Sequence, residues 1–160
     1  MCGLTVVDDG AKLQADHRIP QSWGGKTVLE NLWAICEPCN RGKRNYFKSF
    51  DEAEMKDILA YSSVYERIYR TLKLQDGAEV ASDYLEFVAN FNDYQEDWHK
   101  RLRELRYPVI GMKISSSVRK EGKRRRSYYK LETDAGLPAD HARLIKDFEK
   151  ANRIKRNAAT

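Results

Sequence analysis

The chain has 160 residues, 41% of them hydrophobic, with 29 basic and 24 acidic side chains and a formal net charge of +5. That length holds one compact domain, or a small domain with an appended one. No apolar run approaches the ~18 residues of a membrane-spanning helix, and no charged-then-apolar leader opens the chain, so neither a membrane partner nor a cleaved secretory signal is expected.

The first 47 residues are rich in turn formers and hold all three cysteines. Asp8-Asp9-Gly10 between Leu4–Val7 and Ala11–Ala15 predicts a hairpin. Cys36-x-x-Cys39 is a spacing that, in a reducing compartment, reads first as metal binding. From Asp51 the pattern turns helical: Met55, Ile58, Leu59, Tyr65, Ile68, Tyr69 and Leu72 recur at three- and four-residue steps and predict one amphipathic helix. Gln75-Asp76-Gly77 reads as a break. A second helix is predicted with Val80, Tyr84, Phe87, Val88, Phe91, Trp98, Leu102 and Leu105 facing the core and Pro108 ending it. Lys113–Arg119 and Ser127–Leu131 flank Glu121-Gly122-Lys123 as a basic β-hairpin. Pro138-Ala139-Asp140 then starts a last helix, with Leu144, Ile145, Phe148 and Ile154 inward. His99 and His141 are expected at the surface.

Charge is segregated along this order. Residues 48–97 carry five basic and twelve acidic side chains, whereas residues 98–130 carry twelve basic and two acidic. Within the basic block Lys123-Arg124-Arg125-Arg126 runs directly into Tyr128, Tyr129 and Lys130. Cations interleaved with aromatics suit phosphate contact combined with packing on sugars or bases, although a solvated basic loop has the same composition.

The chemistry-bearing stretch runs Asp16-His17-Arg18-Ile19-Pro20-Gln21-Ser22-Trp23-Gly24-Gly25, then Asn31-Leu32-Trp33, then Cys36-Glu37-Pro38-Cys39-Asn40-Arg41. In that order and spacing, residues 2–46 resemble the HNH nucleases of the ββα-metal superfamily, whose pattern is Asp-His, a Gly-Gly loop, Asn-Leu and Cys-x-x-Cys-Asn. The resemblance implies a metal-dependent DNA endonuclease. His17 matches the general base, Asp16 the metal-binding carboxylate and Asn40 the metal ligand on the helix. Asn31 matches the middle Asn, which supports the His-bearing segment by hydrogen bonding across the loop. These residue types fit the chemistry. A neutral imidazole accepts a proton from water near pH 7, and oxygen ligands suit Mg²⁺ or Mn²⁺, which neutralises the phosphate and the departing 3′ oxygen. Neighbours on a strand point to opposite faces, so Asp16 and His17 serve one site only if the strand ends or twists there.

Many relatives also hold a structural zinc between two Cys-x-x-Cys pairs. Here Cys36 and Cys39 complete one pair and Cys2 alone represents the other, leaving the four-ligand requirement unmet. A chain start placed a few codons late, chelation by the amine of Cys2, and a water or distant side chain as fourth ligand compete with three cysteines and no metal.

The expected fold class is α+β: an N-terminal ββα-metal HNH module over residues 1–50, a helical scaffold over 51–107, and a basic hairpin with a C-terminal helix over 108–160 as the DNA-binding extension. Expected nucleic-acid contacts are Arg18, Arg41, Lys43 and Arg44 beside the site, and Arg119, Lys120, Lys123, Arg124, Arg125, Arg126, Tyr128, Tyr129 and Lys130 on the hairpin. Double-stranded DNA is the expected partner, and a homodimer is expected if both strands are cut together. A restriction-type enzyme of a bacterial or phage cytoplasm fits this reading best. A non-catalytic zinc-containing DNA-binding module and an RNA-directed nuclease are the alternatives.

Overall fold

The computed structural model describes residues 5–17, 20–21, 25–41, 51–91, 97–121 and 124–158. It is mixed α+β, with two small antiparallel sheets, one of strands β1 and β2 and one in the order β3-β5-β4. No helix among the described residues is long and apolar enough to cross a membrane.

The hairpin expected around residues 8–10 is not formed. Val6–Asp9 is instead a single helical turn, α1. Thr5 caps it, its Oγ1 accepting from the Asp8 backbone N–H at 2.9 Å, and Asp9 Oδ2 accepts from the Thr5 backbone N–H at 3.0 Å. The two acids therefore satisfy a helix start, where negative charge is favoured, and Gly10 closes the turn at φ 60. The strand that follows, β1 (Leu13–His17), pairs antiparallel with β2 (Leu32–Cys36), from Leu13↔Cys36 to His17↔Leu32. Helix α2, described over residues 37–41, follows β2 directly, giving a strand–strand–helix order.

The scaffold is more segmented than its periodicity predicted. The first long helix is two, α3 (Glu52–Ala60) and α4 (Val64–Leu74), because Tyr61 and Ser63 take extended backbone conformations. Asp51 caps α3, accepting from the N–H groups of Ala53 and Glu54. The second long helix is three pieces: Val80–Ala81 forms strand β3 on the edge of β5, α5 spans Ser82–Ala89, and α6 spans Trp98–Leu105 behind an Asp97 cap. An amphipathic repeat records which residues face the core and is silent on where the backbone turns between them. The inward residues were legible all the same. Met55, Ile68, Leu72, Val80, Tyr84, Val88, Trp98, Leu102 and Leu105 share one core.

Strands β4 (Lys113–Glu121) and β5 (Arg124–Thr133) form the expected hairpin and run longer than predicted. Helix α7 begins at His141 and reaches Ala158. Ile145 is buried as expected, but Ile154 is 60% exposed, beyond the end of the core. His141, expected at the surface, is buried. Its Nδ1 meets the Pro138 carbonyl at 2.9 Å and its Nε2 meets Ser63 Oγ at 3.2 Å, tying the start of α7 to the start of α4. His99 is exposed, as expected.

Two buried charges organise the scaffold. Glu104, fully buried, accepts from Tyr65 Oη at 2.6 Å and pairs with Arg101 at 2.9 Å. Arg67, 1% exposed, donates to the carbonyls of Tyr61, Ser62, Val88 and Ala89.

Candidate active site and nucleic-acid interface

Strand alternation places Gln14 and Asp16 on one face of β1. Their cross-strand partners Ile35 and Trp33 lie on the same face. Trp33 Nε1 donates to Asp16 Oδ2 at 3.2 Å, which fixes the carboxylate against the indole. Asn40, on α2, reaches the same face, since its Nδ2 donates to Gln14 Oε1 at 3.1 Å. The sequence thus brings Asp16 and Asn40 to one side of the hairpin. Asn40 is 8% exposed, and its Oδ1 is a buried oxygen with no hydrogen-bond partner among the described residues.

His17 is the last residue of β1 and still pairs with Leu32, next to the Asp16↔Trp33 pair. Its Nε2 lies 2.8 Å from Thr27 Oγ1, and Gln21 Nε2 donates to the same hydroxyl at 3.1 Å. The Thr27 hydroxyl oxygen has two lone pairs, so it can accept from Gln21 and from a His17 Nε2–H together, the tautomer that leaves Nδ1 as the basic nitrogen. Asn31 is buried and donates from Nδ2 to the Lys26 carbonyl at 2.8 Å. It ties the loop leading out of β1 to the start of β2, a supporting arrangement.

Sequence reasoning missed Gln14, Thr27 and Trp33. Gln14 was within reach of it, because it stands two residues before Asp16 and so shares its face. Thr27 and Trp33 meet their partners through loop closure and strand register, which no local pattern encodes.

Cys36 ends β2 and is buried, and Cys39 sits one turn on, in α2, partly exposed. Cys2 lies outside the described residues, as do Arg18, Lys43, Arg44 and Lys123, and the Arg124 side chain is likewise not described. Among the described residues no three His, Cys, Asp or Glu side chains converge as a metal cluster. Arg41 is exposed and forms an i,i+4 ion pair with Glu37 at 2.8 Å.

The expected hairpin contacts divide by strand face. Tyr129 is corrected outright: it is 8% exposed, packs edge-on against Trp98 and belongs to the core, because its position pairs with buried Val80 of β3. Tyr128 is on the opposite face, hydrogen-bonded to Glu121, with the Arg119 guanidinium 4.6 Å from its ring centroid. Arg119 pairs with Glu79, and Arg126 with Asp83 at 2.7 Å and Glu121 at 3.2 Å. Partial burial and the Glu121 hydrogen bond both push the Tyr128 phenol up. The hydrogen bond to Asp83 pushes the Arg126 guanidinium further into its charged form, against its own burial. Lys130 pairs with Glu132 at 3.2 Å. Lys120 and Arg125 face each other across the strands and are exposed.

Residues 1–46 match the family model described as HNH endonuclease. The N-terminal segment is similar to HNH endonuclease domains. The match spans 46 of 160 residues and points to nuclease activity for this segment. No curated protein and no solved structure matches the chain.

Proposed function

We propose that the chain is a metal-dependent DNA endonuclease, with His17 as general base and with Asp16 and Asn40 holding a divalent cation at the scissile phosphate. The observation that carries this reading is the buried Oδ1 of Asn40, unpartnered among the described residues, on the face that Asp16 shares. Leaving a buried acceptor unsatisfied costs about 1–3 kcal/mol, and a hard cation is the natural group to relieve it. Two protein oxygens are few for a closed metal cage, yet they suit Mg²⁺ or Mn²⁺, which retain waters and take further oxygens from a phosphate. The cation, when bound, supplies positive charge to the phosphate and to the departing 3′ oxygen.

The chain's own groups do the rest. His17, oriented by Thr27, takes a proton from the attacking water as the new P–O bond forms and the P–O3′ bond breaks. Trp33 holds Asp16, and Asn31 holds the loop that carries Thr27. Arg41 is available to a neighbouring phosphate through exchange of its exposed pair with Glu37, at little cost. Cys36 and Cys39 at the β2–α2 junction, with Cys2, are proposed as ligands of a structural zinc. A restriction-type role in a bacterial or phage cytoplasm remains the preferred setting.

The test is cleavage of supercoiled plasmid with Mg²⁺ or Mn²⁺ by the parent and by His17→Ala. Nicked or linear product from the parent alone is the expected result. Salt-sensitive binding without cleavage by a zinc-loaded, folded parent would replace the endonuclease with a non-catalytic DNA-binding module, and preferential cleavage of RNA would replace the substrate.

A further inference from the structure

The distal half of the β4–β5 hairpin is a two-stranded arm. Strand β3 pairs with β5 only at Tyr128 and Tyr129, whereas β4 continues to pair with β5 out to Glu121↔Arg124. The four residue pairs from Val118↔Ser127 to the end of the hairpin therefore extend beyond the three-stranded sheet by about 13 Å, at ~3.3 Å per residue.

Its two faces are chemically different. On one, Arg119 and Arg126 are spent on Glu79, Asp83 and Glu121. Glu79 precedes β3 and Asp83 lies in the first turn of α5, so these pairs anchor the arm to the scaffold. The other face carries Val118, 56% exposed, then Lys120 directly opposite Arg125. Neither Lys120 nor Arg125 has an acidic partner among the described residues. Like charges directly across a ladder destabilise a hairpin, and a polyanion seated between them turns that repulsion into attraction.

We propose that this open face, carrying Val118, Lys120 and Arg125, enters the major groove of B-form duplex DNA, while Arg119 and Arg126 position the arm and do not touch the nucleic acid. This rests on the reading of the chain as a DNA-acting protein. The groove follows from dimensions: the B-form major groove admits a two-stranded ribbon and is about 8.5 Å deep, less than the reach of the arm. The A-form major groove of duplex RNA is too narrow for side chains to read.

The experiment measures affinity of the zinc-loaded protein for a short synthetic DNA duplex without added Mg²⁺ or Mn²⁺, between about 50 and 200 mM salt. The double variant Lys120→Gln/Arg125→Gln is expected to lower the steepness of the salt dependence by about 1.8, from ~0.9 per lost phosphate contact. Arg119→Gln/Arg126→Gln is expected to leave that steepness unchanged. Val118→Lys, at an exposed position and with every ion pair intact, is expected to raise it by about 0.9. An equal or larger loss of steepness in Arg119→Gln/Arg126→Gln overturns the assignment of faces, as does no change in Val118→Lys. Duplex RNA bound as tightly, with the same dependence on Lys120 and Arg125, overturns the groove, and a parent that binds no duplex DNA overturns the whole. Plasmid cleavage on the same samples separates this from the endonuclease reading. Arm-dependent binding without cleavage defeats only the latter, and His17-dependent cleavage with an unaltered salt dependence in the arm variants defeats only the former.

Discussion

Replacing Arg67 by Met should destabilise the scaffold far more than exchanging a buried ion pair for apolar groups commonly does. The guanidinium donates from Nε to the Val88 carbonyl at 2.9 Å, from Nη1 to those of Tyr61 and Ser62 at 2.6 and 2.9 Å, and from Nη2 to that of Ala89 at 2.8 Å. Val88 and Ala89 are the last residues of α5, the negative end of its helix dipole, and Tyr61 and Ser62 form the corner between α3 and α4. Removing one side of a buried ion pair is relieved if its partner is also made apolar, but backbone carbonyls cannot be mutated away. At the lower bound of ~1 kcal/mol for each orphaned acceptor, four of them give about 4 kcal/mol. Because the aliphatic stem of Arg67 is already buried, Met returns little of this through added apolar area. The net expectation is about 3–4 kcal/mol out of a usual 5–15. With a urea slope of roughly 2 kcal/mol/M, the midpoint should fall by about 1.5–2 M. A fall of less than about 0.5 M at unchanged slope would refute the reasoning, since it would mean that the α3–α4 corner does not depend on this cation.

Three further outcomes follow from named contacts. Thr27→Val should reduce the cleavage rate, by up to about a hundredfold if the imidazole swings by an ångström, and Thr27→Ser should restore it, with plasmid turnover and its pH profile as readouts; equal activity in all three would remove Thr27 from the site. Burial and then the Glu104 hydrogen bond hold the Tyr65 phenol up to about 12 against an ordinary 10.0. The fold therefore favours the neutral form, so this contribution is complete below pH 10 and lost as pH climbs towards 12. Urea midpoints of the parent should fall more steeply across that window than those of Tyr65→Phe, and parallel curves would contradict the assignment. Burial pushes the Asp83 carboxyl up, but the Arg126 hydrogen bond and charge outweigh it and leave it below its ordinary 3.8. Its contribution is present above that pH and lost as pH falls through the lowered value, so the protection of β5 amides near Arg126, relative to their intrinsic exchange rates, should fall in acid in the parent, and Asp83→Asn should show the lowered protection already at neutral pH.

Residue-level burial in the scaffold was legible because an amphipathic repeat states which side chains face inward. The corners were not, because they depend on contacts that come from elsewhere in the chain. Nothing local in Tyr61-Ser62-Ser63 announces a break as a proline would. The break is held by Arg67 from within α4 and by His141 from α7, 78 residues beyond Ser63. The same cause explains His141 itself: a histidine beside Asp140 at a helix start reads as exposed until the packing of α7 against α4 is known. At residues 8–10 the error was of another kind. Asp-Asp-Gly satisfies a hairpin turn and a capped helical turn equally well, and Thr5, three residues before Asp8, decided between them.

The candidate site was legible in its residue types and only partly in its geometry. Asp16, His17, Asn31 and Asn40 could be named from order and spacing, and Asp16 and His17 stand side by side as the last two residues of β1. What spacing could not give is the partner each residue meets: Trp33 against Asp16, Thr27 against His17, Gln14 against Asn40. The basic hairpin shows the complementary limit. A run of four cations looks uniform in sequence, yet strand alternation sends Arg126 towards Asp83 and Glu121 and leaves Arg125 on the open face opposite Lys120. Net charge thus overstates the cations available to a polyanion. The useful quantity is the charge left after each face has met its internal acids, and among the described side chains of this arm that charge lies on one side.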